Sequence, residues 1–98
     1  MSGVELTFRG SVADLVINRP EAKNSLNRAV LAGLRGAFGE IGASRSCRVV
    51  LLRGSGDEAF CAGADLKELA NLGGLEERTT FFRGIAEVIG DMADLPQP

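Results

Sequence analysis

A chain of 98 residues with a net charge of -2 and 45% hydrophobic side chains is one domain's worth of sequence or less, apolar enough for a core and too weakly charged to hold nucleic acid or an anionic membrane by bulk electrostatics. Histidine is absent and the two cysteines, Cys47 and Cys61, keep no metal-ligand spacing, so no metal site is expected and free thiols in a reducing cytoplasm are. Met1-Ser2-Gly3-Val4-Glu5 lacks the basic and apolar regions of a secretory signal, and no apolar run reaches the ~18 residues of a membrane span.

Val4 to Arg9 alternates apolar and polar, the period of a half-buried strand. Gly10-Ser11 predicts a tight turn, and Val12 to Asn18 predicts the hairpin partner, ended by Arg19-Pro20. Residues 19–25 read as a polar loop in which Asn24 or Ser25 caps the next helix. That helix is predicted over Leu26 to Ile41, with Leu26, Val30, Leu34, Phe38 and Ile41 on one face and Gly42 at its end. Arg48 to Arg53 carries the run Val49-Val50-Leu51-Leu52, which suits a parallel strand covered on both faces and reached by a right-handed βαβ crossover. Gly54 to Ala64 is a glycine- and alanine-rich loop. A short helix is expected from Leu66 to Leu72, a break at Gly73-Gly74, and a last helix over Leu75 to Asp94. Phe81, Phe82, Ile85, Val88, Ile89 and Met92 are expected on its buried side. The fold class is therefore α/β, with ββαβ followed by a loop and two helices.

The loop before Leu66 is where the chemistry concentrates. It follows a buried strand, at the edge where α/β sheets favour ligands. Asp65-x-x-Glu68 fits a capping box with Asp65 as the cap. Ala64 then lies just outside the helix, where its N–H has no intrahelical acceptor. Gly63, Ala62 and Ala64 are too small to block an approaching group. A free N–H beside a helix start is what a developing oxyanion needs. From spacing alone, a capping loop whose small residues serve packing is the simpler reading.

Two segments carry a resemblance. Asn18-Arg19-Pro20-Glu21-Ala22-Lys23-Asn24-Ser25-Leu26 and Phe60-Cys61-Ala62-Gly63-Ala64-Asp65-Leu66, in that order and separated by one helix and one strand, resemble the crotonase, or enoyl-CoA hydratase/isomerase, superfamily. The resemblance covers essentially the whole chain and implies that residues 1–98 are the N-terminal part of a single crotonase-like domain. It implies that the Ala64 N–H is one of two donors to a thioester oxygen, the second donor and two catalytic glutamates lying beyond Pro98. It further implies that Ala22, Lys23, Ala62, Gly63, Asp65 and Leu66 border coenzyme A, which arrives as part of the acyl-CoA substrate, with no resident cofactor. Lys23 is expected to reach a phosphate or to be a solvated surface lysine; Asp65 weighs at least equally as a helix cap. Trimers or dimers of trimers of the full-length chain are implied as well; the expected cytoplasmic location rests on the free thiols. Alone, the 98 residues are expected to be inactive.

Two rival readings remain open at this point: a non-catalytic CoA-binding or subunit-interaction module, and another crotonase chemistry such as thioester hydrolysis or decarboxylation. Other signals are set aside. Gly54-Ser55-Gly56-Asp57-Glu58-Ala59 matches a dinucleotide fingerprint, but Asp57 and Glu58 would face a pyrophosphate with like charge. Cys61 has no histidine to activate it as a nucleophile. Glu68 is expected to serve the cap rather than acid–base chemistry.

Overall fold

The computed structural model describes residues 3–98, so Met1 and Ser2 of the N-terminal reading lie outside the described residues. The alternating segment forms β1 (Val4–Arg9) and the following apolar run forms β2 (Val12–Ile17). They make the predicted hairpin, antiparallel, with Val4 opposite Ile17 and Arg9 opposite Val12. A single 3-10 turn (Pro20–Ala22) leads to α1 (Arg28–Ala43), and the chain returns through β3 (Val49–Gly54), parallel to β2. The sheet order is β1-β2-β3, followed by α2 (Leu66–Ala70) and α3 (Leu75–Ala93). This is the α/β order expected from the sequence.

The core lies between one face of the sheet and α1. Ala13, Leu15 and Ile17 of β2 meet Val30, Leu31, Leu34, Ala37, Phe38 and Ile41 of α1, and Phe81 and Val88 of α3 close the cluster. Leu15 and Ile41 are fully buried. Each such side chain contributes roughly 1.5–3 kcal/mol by leaving water, so the α1 stripe fixes how the crossover sits on the hairpin.

Four expectations are corrected. The α1 cap is Asn27, whose side chain accepts from the Val30 N–H, rather than Asn24 or Ser25. Leu26 is consequently outside the helix, in a one-residue parallel bridge with Ala64. The strand buried on both faces is β2, which lies between two others, whereas β3, at the sheet's edge among the described residues, leaves Leu51 56% exposed. On α3, Phe82, Ile89 and Met92 are exposed, since the apolar stripe that packs on the core is Phe81, Ile85 and Val88. α2 closes at Ala70, two residues short of the expected end, with Asn71 as its C-cap.

Asn24 does something larger than capping. It is buried with φ 57, and Lys23 before it has φ 55. A left-handed backbone at a non-glycine residue costs on the order of 1 kcal/mol. The side chain offsets this: Asn24 Nδ2 donates to the Ser55 and Ala59 carbonyls at 3.0 and 2.8 Å, and Oδ1 accepts from the Arg19 N–H at 2.8 Å. The loop after β2 is thereby fastened to the loop after β3. Gly54 is the residue that permits this. A Cβ there would collide with the Phe60 carbonyl oxygen and sit 2.7 Å from Asn24 Nδ2 and 2.9 Å from the Ala59 carbonyl.

Gly54→Ala is therefore expected to cost ~3 kcal/mol, because backbone must move to admit the methyl group. Gly39→Ala, on the exposed side of α1 with nothing within 4 Å of the added Cβ, is expected to stabilise by ~0.5–1 kcal/mol. Urea-unfolding midpoints of the two variants should move in opposite directions; a shift of the same sign would contradict the packing described for Gly54.

Candidate active site

The 19–26 segment and the 59–66 segment lie side by side at the C-terminal ends of β2 and β3. Their contact is mostly backbone. The Leu26 N–H donates to the Gly63 carbonyl at 2.7 Å, the Asp65 N–H donates to the Leu26 carbonyl at 2.8 Å, and the Ala62 N–H donates to the Lys23 carbonyl at 3.1 Å. In a parallel bridge the residue between two such bonds turns its own N–H and C=O away from the partner strand. Ala64 is that residue. Its N–H has no acceptor among the described residues. Gly63, at φ 92, makes the preceding turn, a conformation that favours glycine.

The predicted cap is present. Asp65 Oδ1 accepts from the Lys67 and Glu68 N–H groups at 2.9 and 3.1 Å. The reciprocal half of the capping box is absent, because the Asp65 N–H is already bonded to Leu26. The Glu68 carboxylate turns instead to the start of α1. There it accepts from the Arg28 backbone N–H at 3.2 Å and pairs with the Arg28 guanidinium. The other Asp65 oxygen, Oδ2, lies 3.1 Å from Arg19 Nη1, with both side chains largely buried.

A cleft of about 400 Å³ opens beside this segment, lined by Arg19, Ala22, Lys23, Ala62, Ala64, Asp65 and Leu66, among others. Six of the seven residues expected at the site from sequence, Ala22, Lys23, Ala62, Ala64, Asp65 and Leu66, are brought together here. Gly63 is not on the wall; it shapes the turn behind it. Lys23 and Leu66 are exposed, and the Lys23 side chain forms no ion pair among the described residues. Sequence reasoning missed Arg19 as a site component. Its signal was its place in the Asn18–Leu26 segment that carries the family resemblance; no periodicity rule singles it out. A second, larger cleft of about 500 Å³ lies away from this edge against Val50, Leu52 and the Leu95–Pro98 segment.

The sheet, crossover and loop are those of the crotonase fold. A crystal structure of enoyl-CoA hydratase from Bacillus anthracis superposes with a TM-score of 0.93 at 34% identity, covering 98% of this chain and 37% of that one. Residues 7–98 match the family model described as enoyl-CoA hydratase/isomerase, and the chain belongs to that family. It is 37% identical over 78 residues to the short-chain-enoyl-CoA hydratase of Clostridium acetobutylicum, covering 80% of this chain and 30% of that protein. It is 39% identical over 90 residues to the human mitochondrial methylglutaconyl-CoA hydratase, covering 92% of this chain and 26% of that protein. The chain spans about a third of the length of the relatives it matches. Among the described residues no helix is long and apolar enough to cross a membrane.

Asp65 is held below the usual carboxylate range, first by the Glu68 N–H and then by Arg19, against the opposing effect of burial. Asp14 is lowered in the same direction, first by its hydrogen bond to Arg53, whose Nε and Nη2 lie 3.1 and 3.2 Å from its two oxygens. A depressed carboxylate stabilises the fold above its unfolded pKa of about 3.9 and loses that contribution as pH falls through the folded value. Stability is expected to be level above about pH 5 and to fall steadily below pH 4. Asp65→Asn keeps a capping oxygen but not the charge. It should be less stable than the parent at pH 7, with the gap closing toward pH 2. Thermal melts followed by circular dichroism across that range check it; a constant gap would show that ionisation of Asp65 is irrelevant.

Proposed function

We propose that the Ala64 N–H donates a hydrogen bond to an acyl-CoA thioester oxygen and stabilises the charge that develops there, and that the full-length protein hydrates an enoyl-CoA or moves its double bond. The observation that carries this reading is the unengaged N–H of Ala64, fixed by the bonds on either side of it, in a residue that lines a cleft together with Ala22 and Ala62. When a nucleophile adds to the β-carbon of an enoyl thioester, or a proton leaves the α-carbon, negative charge gathers on the carbonyl oxygen. A pre-set N–H stabilises that charge without reorganising, and is worth more there than against the neutral thioester. Ala62, Gly63 and Ala64 leave room for the thioester to approach the backbone. Ala22, Lys23, Asp65 and Leu66 border the coenzyme A portion in this reading, with the exposed Lys23 ammonium available to a phosphate as a mobile point charge.

In the same reading residues 1–98 form the N-terminal part of one crotonase-like domain. Coenzyme A comes with the substrate, no resident cofactor or metal takes part, and the proton-moving carboxylates belong to the remainder of the full-length chain. Assembly as a trimer or dimer of trimers is part of the proposal, supported by family membership, and so is a cytoplasmic location, supported by the free thiols of Cys47 and Cys61.

In the full-length protein Ala64→Ser preserves the backbone donor and should keep most activity. Ala64→Pro deletes the donor. It should lower kcat for crotonyl-CoA hydration by ~10²–10³, equivalent to ~2.7–4 kcal/mol. Circular dichroism must show both variants folded, since proline also biases Gly63 toward an extended backbone. A folded Ala64→Pro enzyme with near-parental kcat would return this loop to a packing role.

A further inference from the structure

We propose that the Arg19 guanidinium is the positioning residue of the oxyanion segment: it ties together Ser25 and Asp65, the neighbours of the two members of the Leu26–Ala64 bridge, and neutralises the carboxylate next to the donor. The inference rests on the oxyanion reading of Ala64. Arg19 Nη1 donates to the Ser25 carbonyl at 2.8 Å and to Ser25 Oγ at 3.2 Å, and lies 3.1 Å from Asp65 Oδ2. Ser25 immediately precedes Leu26, and Asp65 immediately follows Ala64. One cation therefore grips both strands, each one residue from the bridge. The bridge itself is only two backbone bonds, so a side-chain contact to both strands adds to what fixes the N–H direction. The root of the clamp is equally fixed. The Arg19 N–H is held by Asn24 Oδ1, and the Arg19 carbonyl accepts from the Ala22 and Asn24 N–H groups at 3.0 and 2.8 Å.

Charge gives a second, independent reason. The Asp65 carboxylate is one residue from a donor meant to receive a developing negative charge, and its side chain is only 12% exposed. Unneutralised, it opposes that charge at short range, where solvent screens poorly. Among the described residues Arg19 is the one cation paired with it; Lys23 and Lys67 line the same cleft without reaching it. The cap needs the Asp65 oxygen, and Arg19 makes its charge tolerable beside an oxyanion.

The test uses the full-length protein with two readouts: kcat and KM for crotonyl-CoA, and the infrared carbonyl stretch of bound 13C-carbonyl butyryl-CoA, a saturated thioester that cannot be hydrated. Arg19→Met should lower kcat ~10–100-fold with KM changed less than ~3-fold, and should shrink the red shift of the carbonyl band. Arg19→Lys should recover part of both. The double variant Arg19→Met/Asp65→Asn, which keeps the cap oxygen without the charge, should regain several-fold in kcat over Arg19→Met, about the size of a half-buried charge effect. A purely structural role predicts no such recovery. Folded Arg19→Met with parental kcat and carbonyl frequency overturns the proposal, as does a double variant worse than the single. If Arg19→Met does not fold, the double variant carries the test: it should stay ~10-fold below the parent, and parental values there also overturn the proposal. Ala64→Pro with a parental carbonyl shift overturns the underlying oxyanion reading instead, so the two failures are distinguishable.

Discussion

The Asn24 carboxamide is buried between two loops that share no strand pairing at that point, and it satisfies two carbonyls of one and an N–H of the other. Removing it would take the partner from three part-buried polar groups, each costing up to ~1–3 kcal/mol where water cannot replace it. Its consequences extend along both segments. Once Asn24 is fixed, Leu26 falls opposite Ala64, the Ala64 N–H turns outward, and Arg19 is delivered between Ser25 and Asp65. The strained backbone at Lys23 and Asn24 is the local cost of that registration. Gly54 is its steric condition.

The proposed oxyanion donor is a backbone group, and that shapes how the sequence encodes it. Nothing about an alanine at position 64 is chemical; the residue matters by being small and by lying between Gly63 and a capping Asp65. The encoding is therefore spread over neighbours, in the turn at Gly63, the cap at Asp65 and the two bonds to Leu26. Side-chain chemistry at position 64 itself has little to select on. This is why spacing alone left a packing loop as the simpler reading, and why the resemblance carried by two separated segments was needed to rank the oxyanion reading above it.

What the sequence made legible follows from which forces act locally. The hairpin, the α1 stripe and the β3 run were visible because burial imposes periods of two and 3.6 on the chain. The Asp65 cap was visible because capping is a contact between near neighbours. The misreadings with the widest consequences are non-local. Asn24 looked like a cap because asparagine before an apolar stripe usually is one; its bonds reach Ser55 and Ala59, which no local rule supplies. Glu68 looked like the return half of a capping box, yet its partner is Arg28 on another helix. β3 was given the burial that belongs to β2, since a run of Val and Leu states that a strand is apolar without stating which strand is central. The α3 face was drawn too wide for the same reason: Phe82, Ile89 and Met92 are apolar but face away from α1.

The two halves of this structure are held by different forces, and they should answer to different perturbations. Between α1 and β2 the contacts are almost wholly apolar, so their strength follows temperature and denaturant and is nearly indifferent to pH. At the sheet's C-terminal edge the contacts are hydrogen bonds and ion pairs, centred on Asn24, Arg19, Asp65 and the Glu68–Arg28 link. Few of them bury apolar surface. Such an edge opens locally at lower cost than the core. Protonating Asp65 frees Arg19 from its partner without touching Leu15 or Ile41. The geometry of the Ala64 donor is thus supported by the part of the fold most sensitive to charge, while the part that makes the chain fold at all is insulated from it. Substitutions that strengthen the α1–β2 core can raise global stability and leave the donor's orientation as it was; only changes on the Arg19–Asp65 side can sharpen or blur it.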